Sequence, residues 1–262
     1  MNRRLVSPIE TAGLHFINLV VFFGTLSILT VSSFRKIFER GRTRAAVIRY
    51  VEEIGIASLP LVGIIAVFTG MVLVMETVTT LKKFGAENYA GGIVGVSMIR
   101  ELGPVLIALV IAGRVGASIA AELGTMKITE QIDALEVLAV DPVSHLVSPR
   151  LLAAFIAFPC LLILSFFLAL SGAFFIGVNL VGMSSGTFWF QSFRFVVMKD
   201  LFVGMTKALV FSSIIINVSA MEGFRATGGA EGVGKAAMLA VVNAFFLIIL
   251  MNLIITAICY FL

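Results

Sequence analysis

The chain has 262 residues, 60% of them hydrophobic and 13% charged, with 19 basic against 15 acidic side chains. Soluble domains carry roughly 45–50% apolar and about 25% charged residues, so composition excludes an ordinary soluble domain and points to a polytopic membrane protein. The net charge of +4 is too small to suggest a nucleic-acid partner, and the basic residues cluster beside apolar segments, as in cytoplasmic loops.

A hydrocarbon core of about 30 Å takes about 20 residues of apolar helix. Six segments qualify: Leu14–Ser33, Ile54–Leu81, Tyr89–Ala121, Pro149–Val181, Leu201–Met221 and Ala236–Leu262. They specify an all-α polytopic membrane protein with no separate globular domain. The first segment follows Arg3 and Arg4 in the manner of a signal peptide, but its apolar run is long and no small-x-small cleavage site follows. It either spans the membrane or lies along its interface. The next stretch holds Arg35, Lys36, Arg40, Arg42, Arg44 and Arg49 and belongs in the cytoplasm. The alternation then puts Lys82–Asn88 and Gly182–Asp200 outside, Glu122–Ser148 and Glu222–Lys235 inside, and the C-terminus outside.

The third segment carries the most information. Arg100 and Glu101 stand about 11–12 residues into it, roughly 17 Å from its start and close to mid-membrane. A charge there costs roughly 2.5–3.5 kcal/mol by insertion scales. Adjacent helical residues point about 100° apart, so the two do not simply neutralise each other. Each needs a partner elsewhere or a wet cavity, either as a site for a charged or zwitterionic substrate or as an ion pair with other helices. Pro104 removes the hydrogen bond to the Arg100 carbonyl and invites a kink. Gly113, Ala117 and Ala121, and likewise Gly116, Ala120 and Gly124, recur at four-residue spacing and predict close helix packing.

Glu130 to Glu136 reads as a short cytoplasmic helix. Glu130, Asp133 and Glu136 form an acidic edge, Ile132, Leu135 and Ala139 an apolar stripe, and Asp141-Pro142 a stop. It is either an amphipathic connector or a docking helix for a cytoplasmic partner. Gly229 to Ala236 nearly spells a phosphate-binding loop. Ala236 replaces its final hydroxyl residue, Glu231 would repel phosphate and no strand precedes it, so a flexible loop is expected. Cys160 and Cys259 give no disulfide framework or metal spacing. Asp200 and Lys207 share a helix face but lie about 10 Å apart, too far for direct pairing. His15 and His145 are isolated, and no nucleophile–base arrangement is visible.

These blocks resemble the MlaE (YrbE) family, the membrane permeases of ABC-type lipid transporters that work with MCE proteins. The resemblance covers roughly Gly55 to the C-terminus. Its core is Arg100-Glu-Leu-Gly-Pro-Val, Ala112-Gly-Arg-Val-Gly-Ala, Ala121-Glu-Leu-Gly-Thr-Met, Thr129-Glu-Gln-Ile-Asp-Ala-Leu-Glu and Val140-Asp-Pro. Ser58-Leu-Pro, Phe68-Thr-Gly-Met-Val, Asp200 with Gly204 and Lys207, and Gly228-Gly-Ala-Glu-Gly-Val-Gly flank it. The resemblance implies an N-terminal interfacial (elbow) helix and basic connector over residues 1–53, and a five-span permease domain over residues 54–262 with a coupling helix at about residues 122–141.

It further implies a homodimer in a bacterial inner membrane, a separate ATPase carrying ATP and magnesium, no cofactor in this chain, a periplasmic MCE partner, and phospholipid as substrate. Arg100, Glu101 and Leu102, with Leu73, Glu76, Leu81 and Phe84, would line the lipid cavity. Glu122, Thr129, Glu130, Ile132, Asp133, Leu135 and Glu136 would couple to the ATPase. Glu76 stands where the family usually has glutamine, Asn252 where aspartate is common, and Lys235-Ala-Ala replaces the usual start of the last helix. A proton-coupled carrier using Glu76 and Glu101 is the alternative transporter. An intramembrane enzyme lacks a catalytic set.

Overall fold

The computed structural model describes residues 8–38 and 44–261. Arg3, Arg4, Arg40 and Arg42, and the side chain of His15, fall outside the described residues. Among those described, every regular element is helical. The long ones are α1 (Pro8–Arg35), α3 (Leu59–Lys82), α8 (Ser148–Asn179), α10 (Met198–Phe224) and α11 (Gly229–Phe261). A short α2 (Arg44–Ile54) leads into α3. Between α3 and α8 runs one nearly continuous helical rod from Glu87 to Ile128, made of α4 (Ala90–Ser97), α5 (Gly103–Ile111) and α6 (Ala117–Ile128). Among the described residues, six helical stretches are long and apolar enough to cross a membrane.

The rod is interrupted twice by π turns, Met98–Leu102 and Ala112–Gly116. The cause of the first is readable in the chain. Pro104 has no N–H to continue the ladder, and the Gly103 N–H reaches back five residues to the Met98 carbonyl. Such single-turn bulges re-aim side chains and recur at functional sites. Both hold an arginine, Arg100 in one and Arg114 in the other.

Backbone proximity organises the bundle. A Cβ on Gly70 would collide with the Ala169 carbonyl, and one on Gly172 with the Val67 carbonyl, so α3 and α8 meet on reciprocal glycines. The expected small-residue packing is present for one row only. Gly116 faces Ser219 and Gly124 faces Gly223, both on α10, and Gly124 also meets Ala226 just beyond its end. Gly113, in the other row, has open space around it. α10 sits at the centre, against α11, α6, α8 and the end of α1. The Ser33 hydroxyl donates to Asn217 Oδ1 on α10 (2.7 Å), and Ser148 Oγ donates to the Ser33 carbonyl (3.1 Å).

Four boundaries differ from the sequence reading. α6 runs on to Ile128, so Glu122 lies on the rod rather than in the loop after it. The outer segment contains an amphipathic helix, α9 (Ser185–Arg194), packed on α4 with Phe188 buried. The expected loop at Gly229–Ala236 is helical, the opening turns of α11. The turn lies earlier, where Gly228 and Gly229 adopt positive φ of 89° and 73°, conformations that favour glycine. Finally, Asp141 opens the next helical segment, its Oδ2 accepting from the Ser144 N–H at 2.6 Å. The preceding helix has already ended, with Ala139 at φ 56°.

Candidate functional site

Arg100 and Glu101 each find a partner on α10. Arg100 Nε and Nη2 stand 2.9 and 2.7 Å from Asp200 Oδ1. Lys207 Nζ stands 2.7 Å from Glu101 Oε1 and donates to the Arg100 carbonyl at 3.0 Å. That carbonyl is the one Pro104 leaves without its α-helical donor, so the lysine replaces the missing hydrogen bond. Asp200 and Lys207 do not pair with each other; each takes one member of the Arg-Glu dipeptide.

α11 completes the network with a polar stripe at four-residue spacing. Asn252 Nδ2 donates to Glu101 Oε2 (3.0 Å), Thr256 Oγ1 to Glu101 Oε1 (2.7 Å), and Tyr260 Oη to Asp200 Oδ1 (2.9 Å). The Arg100 guanidinium also lies 4.4 Å from the centre of the Tyr260 ring, a cation–π contact. Asp200 and Lys207 are fully buried, while about a third of the Arg100 and Glu101 side chains remains accessible. Nη1 of Arg100 has no hydrogen-bond partner among the described residues. Glu101, committed to three donors, is poorly suited to a proton-carrier role.

The network lies nearer the helix ends than the count from Tyr89 places it. A Cβ on Gly204 would meet the Ile99 carbonyl, so the rod crosses α10 six residues after Met198, about 9 Å from its start. Thr256 and Tyr260 likewise belong to the last turns of α11. The rod is longer than the expected span, and α9 covers its beginning. Of the other predicted site residues, Leu73, Leu81 and Leu102 are half-buried, and Glu76 and Phe84 are exposed.

A second polar cluster occupies the opposite end of the rod, around a cavity of about 210 Å³. Arg114 Nη1 donates to Ser58 Oγ at 2.6 Å. Arg150 at the start of α8 is 1% exposed. Its Nη1 donates to the Leu146 carbonyl at 2.6 Å, and its guanidinium lies 4.5 Å from the centre of the Tyr50 ring. Arg150 Nη2 stands 2.7 Å from Glu122 Oε1 as an ion-pair contact without hydrogen-bond alignment. Glu122, expected at the partner surface, is thus engaged within the chain.

The short helix α7 (Gln131–Val137) protrudes beyond α6. Glu130 precedes it in the left-handed region, at φ 59°. Lys127 on α6 pairs with Asp133 at 2.7 Å and braces the corner. Thr129 caps α6, its hydroxyl donating to the Thr125 carbonyl at 2.8 Å. Ile132 is buried and Leu135 half-buried, so these two residues of the expected apolar stripe anchor α7 to this chain, while the third, Ala139, lies past the helix and is exposed. The apolar side chains presented outward are Val137 and Leu138, 87% and 72% exposed. The stripe reading passed over both because Val137 ends the helix and Leu138 follows it, off the line of Ile132 and Leu135. Glu136 is exposed beside them, and Glu130 is exposed at the other end of α7.

Comparison with known proteins places this geometry. The family Permease MlaE matches residues 47–258. A probable ABC transporter permease protein of Rickettsia typhi is 37% identical over 256 residues, 98% of this chain and 99% of the relative. The intermembrane phospholipid transport system permease protein MlaE of Haemophilus influenzae is 35% identical over 214 residues, 81% of this chain and 82% of the relative. The chloroplastic protein trigalactosyldiacylglycerol 1 of Arabidopsis thaliana is 34% identical over 195 residues, 74% of this chain and 56% of the relative. The all-helical bundle, its six long apolar helices and the match over most of the chain establish that this multi-pass inner-membrane protein belongs to the MlaE family of ABC transporter permeases.

Proposed function

We propose that this permease moves phospholipid between the inner membrane and a periplasmic MCE-domain protein and so contributes to outer-membrane lipid homeostasis. It works as a homodimer with a separate ATPase on the cytoplasmic side. The name of the Haemophilus relative supports the substrate class. The observation that carries the reading is Arg100, a cation held rigidly by Asp200 and Tyr260 with a third of its side chain still accessible. A guanidinium presents a planar fork suited to phosphate, and this one keeps Nη1 free for a headgroup. Leu73, Leu81, Phe84 and Leu102 supply the apolar wall beside it, and Glu76 the additional carboxylate at its rim.

Residues 1–53 serve as the N-terminal elbow and basic connector. ATP and magnesium belong to the ATPase subunit and drive closure there. The docking edge is Val137 and Leu138 with Glu136 beside them, and Glu130 at the other end of α7. The Lys127–Asp133 pair makes α7 and α6 move together, and α6 is continuous with the rod that carries Arg100. The distance from Arg100 to Glu136 is less than about 60 Å even as one straight helix.

Lipid copurification tests the headgroup role. Arg100→Lys keeps the charge and its Asp200 partner but loses the fork, and is expected to lower bound phospholipid several-fold with the ATPase still attached. Unchanged lipid content rejects the role. For docking, Val137→Asp with Leu138→Asp is expected to weaken ATPase association at least tenfold, since buried apolar anchors dominate such interfaces. An intact complex in detergent pull-downs overturns it.

A further inference from the structure

A large apolar cleft separates α1 from the bundle. Its volume is about 580 Å³, and Leu26 and Phe34 of α1, Phe155 of α8, Leu209 and Ile214 of α10 and Met251 of α11 are among its walls. It stands apart from the Arg100 network and from the α3 residues that would line the transport cavity. Among the described residues its polar lining side chains are Thr30 and Ser213, and Ser213 Oγ already accepts from Asn217 Nδ2 (3.3 Å). Ordered water needs two to four polar partners, so the cleft is dry. In a protein surrounded by lipid, hydrocarbon is what fills such a space. Phe23, Phe34 and Leu209 are each more than a third exposed, so the cleft is reachable from the side.

Charge at one end specifies the kind of lipid. Phe34 is followed by exposed Arg35 and by Lys36, and these two cations border a second groove of about 520 Å³ on the neighbouring face of α1. Lys36 is held in place by Asp141 at 2.7 Å. We propose that the cleft between α1 and the bundle is a second lipid site, holding an acyl chain of an anionic phospholipid whose headgroup lies at Arg35. By the distribution of basic residues this end is cytoplasmic, so the site draws on the cytoplasmic leaflet. The lipid would fix α1 against α10 alongside the Ser33–Asn217 hydrogen bond, which joins the same two helix faces. The inference does not depend on the role of Arg100.

The test uses the full-length protein in phosphatidylcholine vesicles containing phosphatidylglycerol with a photoreactive acyl chain. Label is expected on the inner face of α1 and on residues 209–214 of α10. Leu209→Trp, which fills the cleft, is expected to cut that labelling several-fold, with Leu247→Phe as a second variant should the first fail to fold. Arg35→Glu is expected to lower labelling by the anionic probe about fivefold or more and to leave a phosphatidylcholine probe unchanged. Labelling indifferent to the cleft variants, or equal for both headgroups, overturns the proposal. So does a disulfide joining Thr30→Cys of two copies, which would place a second chain in the cleft. Arg100→Lys, which tests the transport site, is expected to leave this labelling unchanged.

Discussion

The two ends of the Glu87–Ile128 rod solve the same problem differently. Each end has a π turn with an arginine, and each arginine lies near a carboxylate that belongs to a different pair. At the outer end all four charges are paired between the rod and α10, α11 adds hydrogen bonds, and the buried partners, Asp200 and Lys207, are fully enclosed. At the inner end Arg150 is enclosed, but its carboxylate partner Glu122 is about half exposed, and a cavity remains between Tyr50, Arg114 and Glu122. The outer network ties the rod to later helices, the inner one to α2, α3 and α8. A rod held firmly at one end and loosely at the other can pivot when α7 is pushed. The difference is therefore one of stiffness, set by enclosure rather than by the number of charges.

The largest effect is expected from breaking the outer end. Lys207→Leu leaves Glu101 without its cation and the Arg100 carbonyl without its donor. Removing one member of a buried pair costs about 3–5 kcal/mol, enough to erase much of a typical fold's stability. Thermal unfolding in detergent measures it. Because the unpaired charge is the cost, Lys207→Leu combined with Glu101→Leu is expected to recover most of the loss. A double variant no better than the single one would show that the four charges do not act as two pairs.

The inner end should break more gently. Glu122→Gln leaves Arg150 its hydrogen bond to Leu146 and its place near the Tyr50 ring, and water can enter the adjoining cavity. Glu122 is about half exposed and meets Arg150 without hydrogen-bond alignment, so a melting shift clearly smaller than that of Lys207→Leu is expected. A shift as large as the outer one would remove the contrast in stiffness and with it the pivot.

How much of this could be read from the sequence depended on whether a feature was local. The six apolar segments, the packing glycines at 116 and 124 and the short helix near Glu130 all follow from periodicity within a few turns. Pro104 even announced which carbonyl would be orphaned. What could not be read was which distant side chain would answer it. Asp200 and Lys207 were visible as charges in an apolar segment, yet their pairing needs the crossing of α10 at Gly204, a tertiary fact. The stripe Asn252, Thr256, Tyr260 did carry a signal, polar groups every fourth residue on an apolar helix, and its spacing alone would have put one face of α11 against a polar site. Val137 and Leu138 gave none, because exposure at a helix end is decided by where the helix stops. Ala139 in the left-handed region fixes that stop.

The finest distinction concerns what holds Arg100 in position, and Tyr260→Phe isolates it. The ring stays under the guanidinium, so the cation–π contact survives, and only the hydroxyl bond to Asp200 is lost. Hydrogen bonds between membrane helices average about 0.6 kcal/mol, so melting should shift little. The consequence should instead appear in geometry: Asp200 Oδ1, relieved of one donor, can swing and let Arg100 tilt. If the outer network is stiff because it is enclosed, phospholipid retention should change by less than about threefold, close to the factor that 0.6 kcal/mol implies. A loss matching that of Arg100→Lys would mean that the tyrosine hydroxyl, rather than the buried ion pair, sets the arginine's direction, and that the outer end is no stiffer than the inner one.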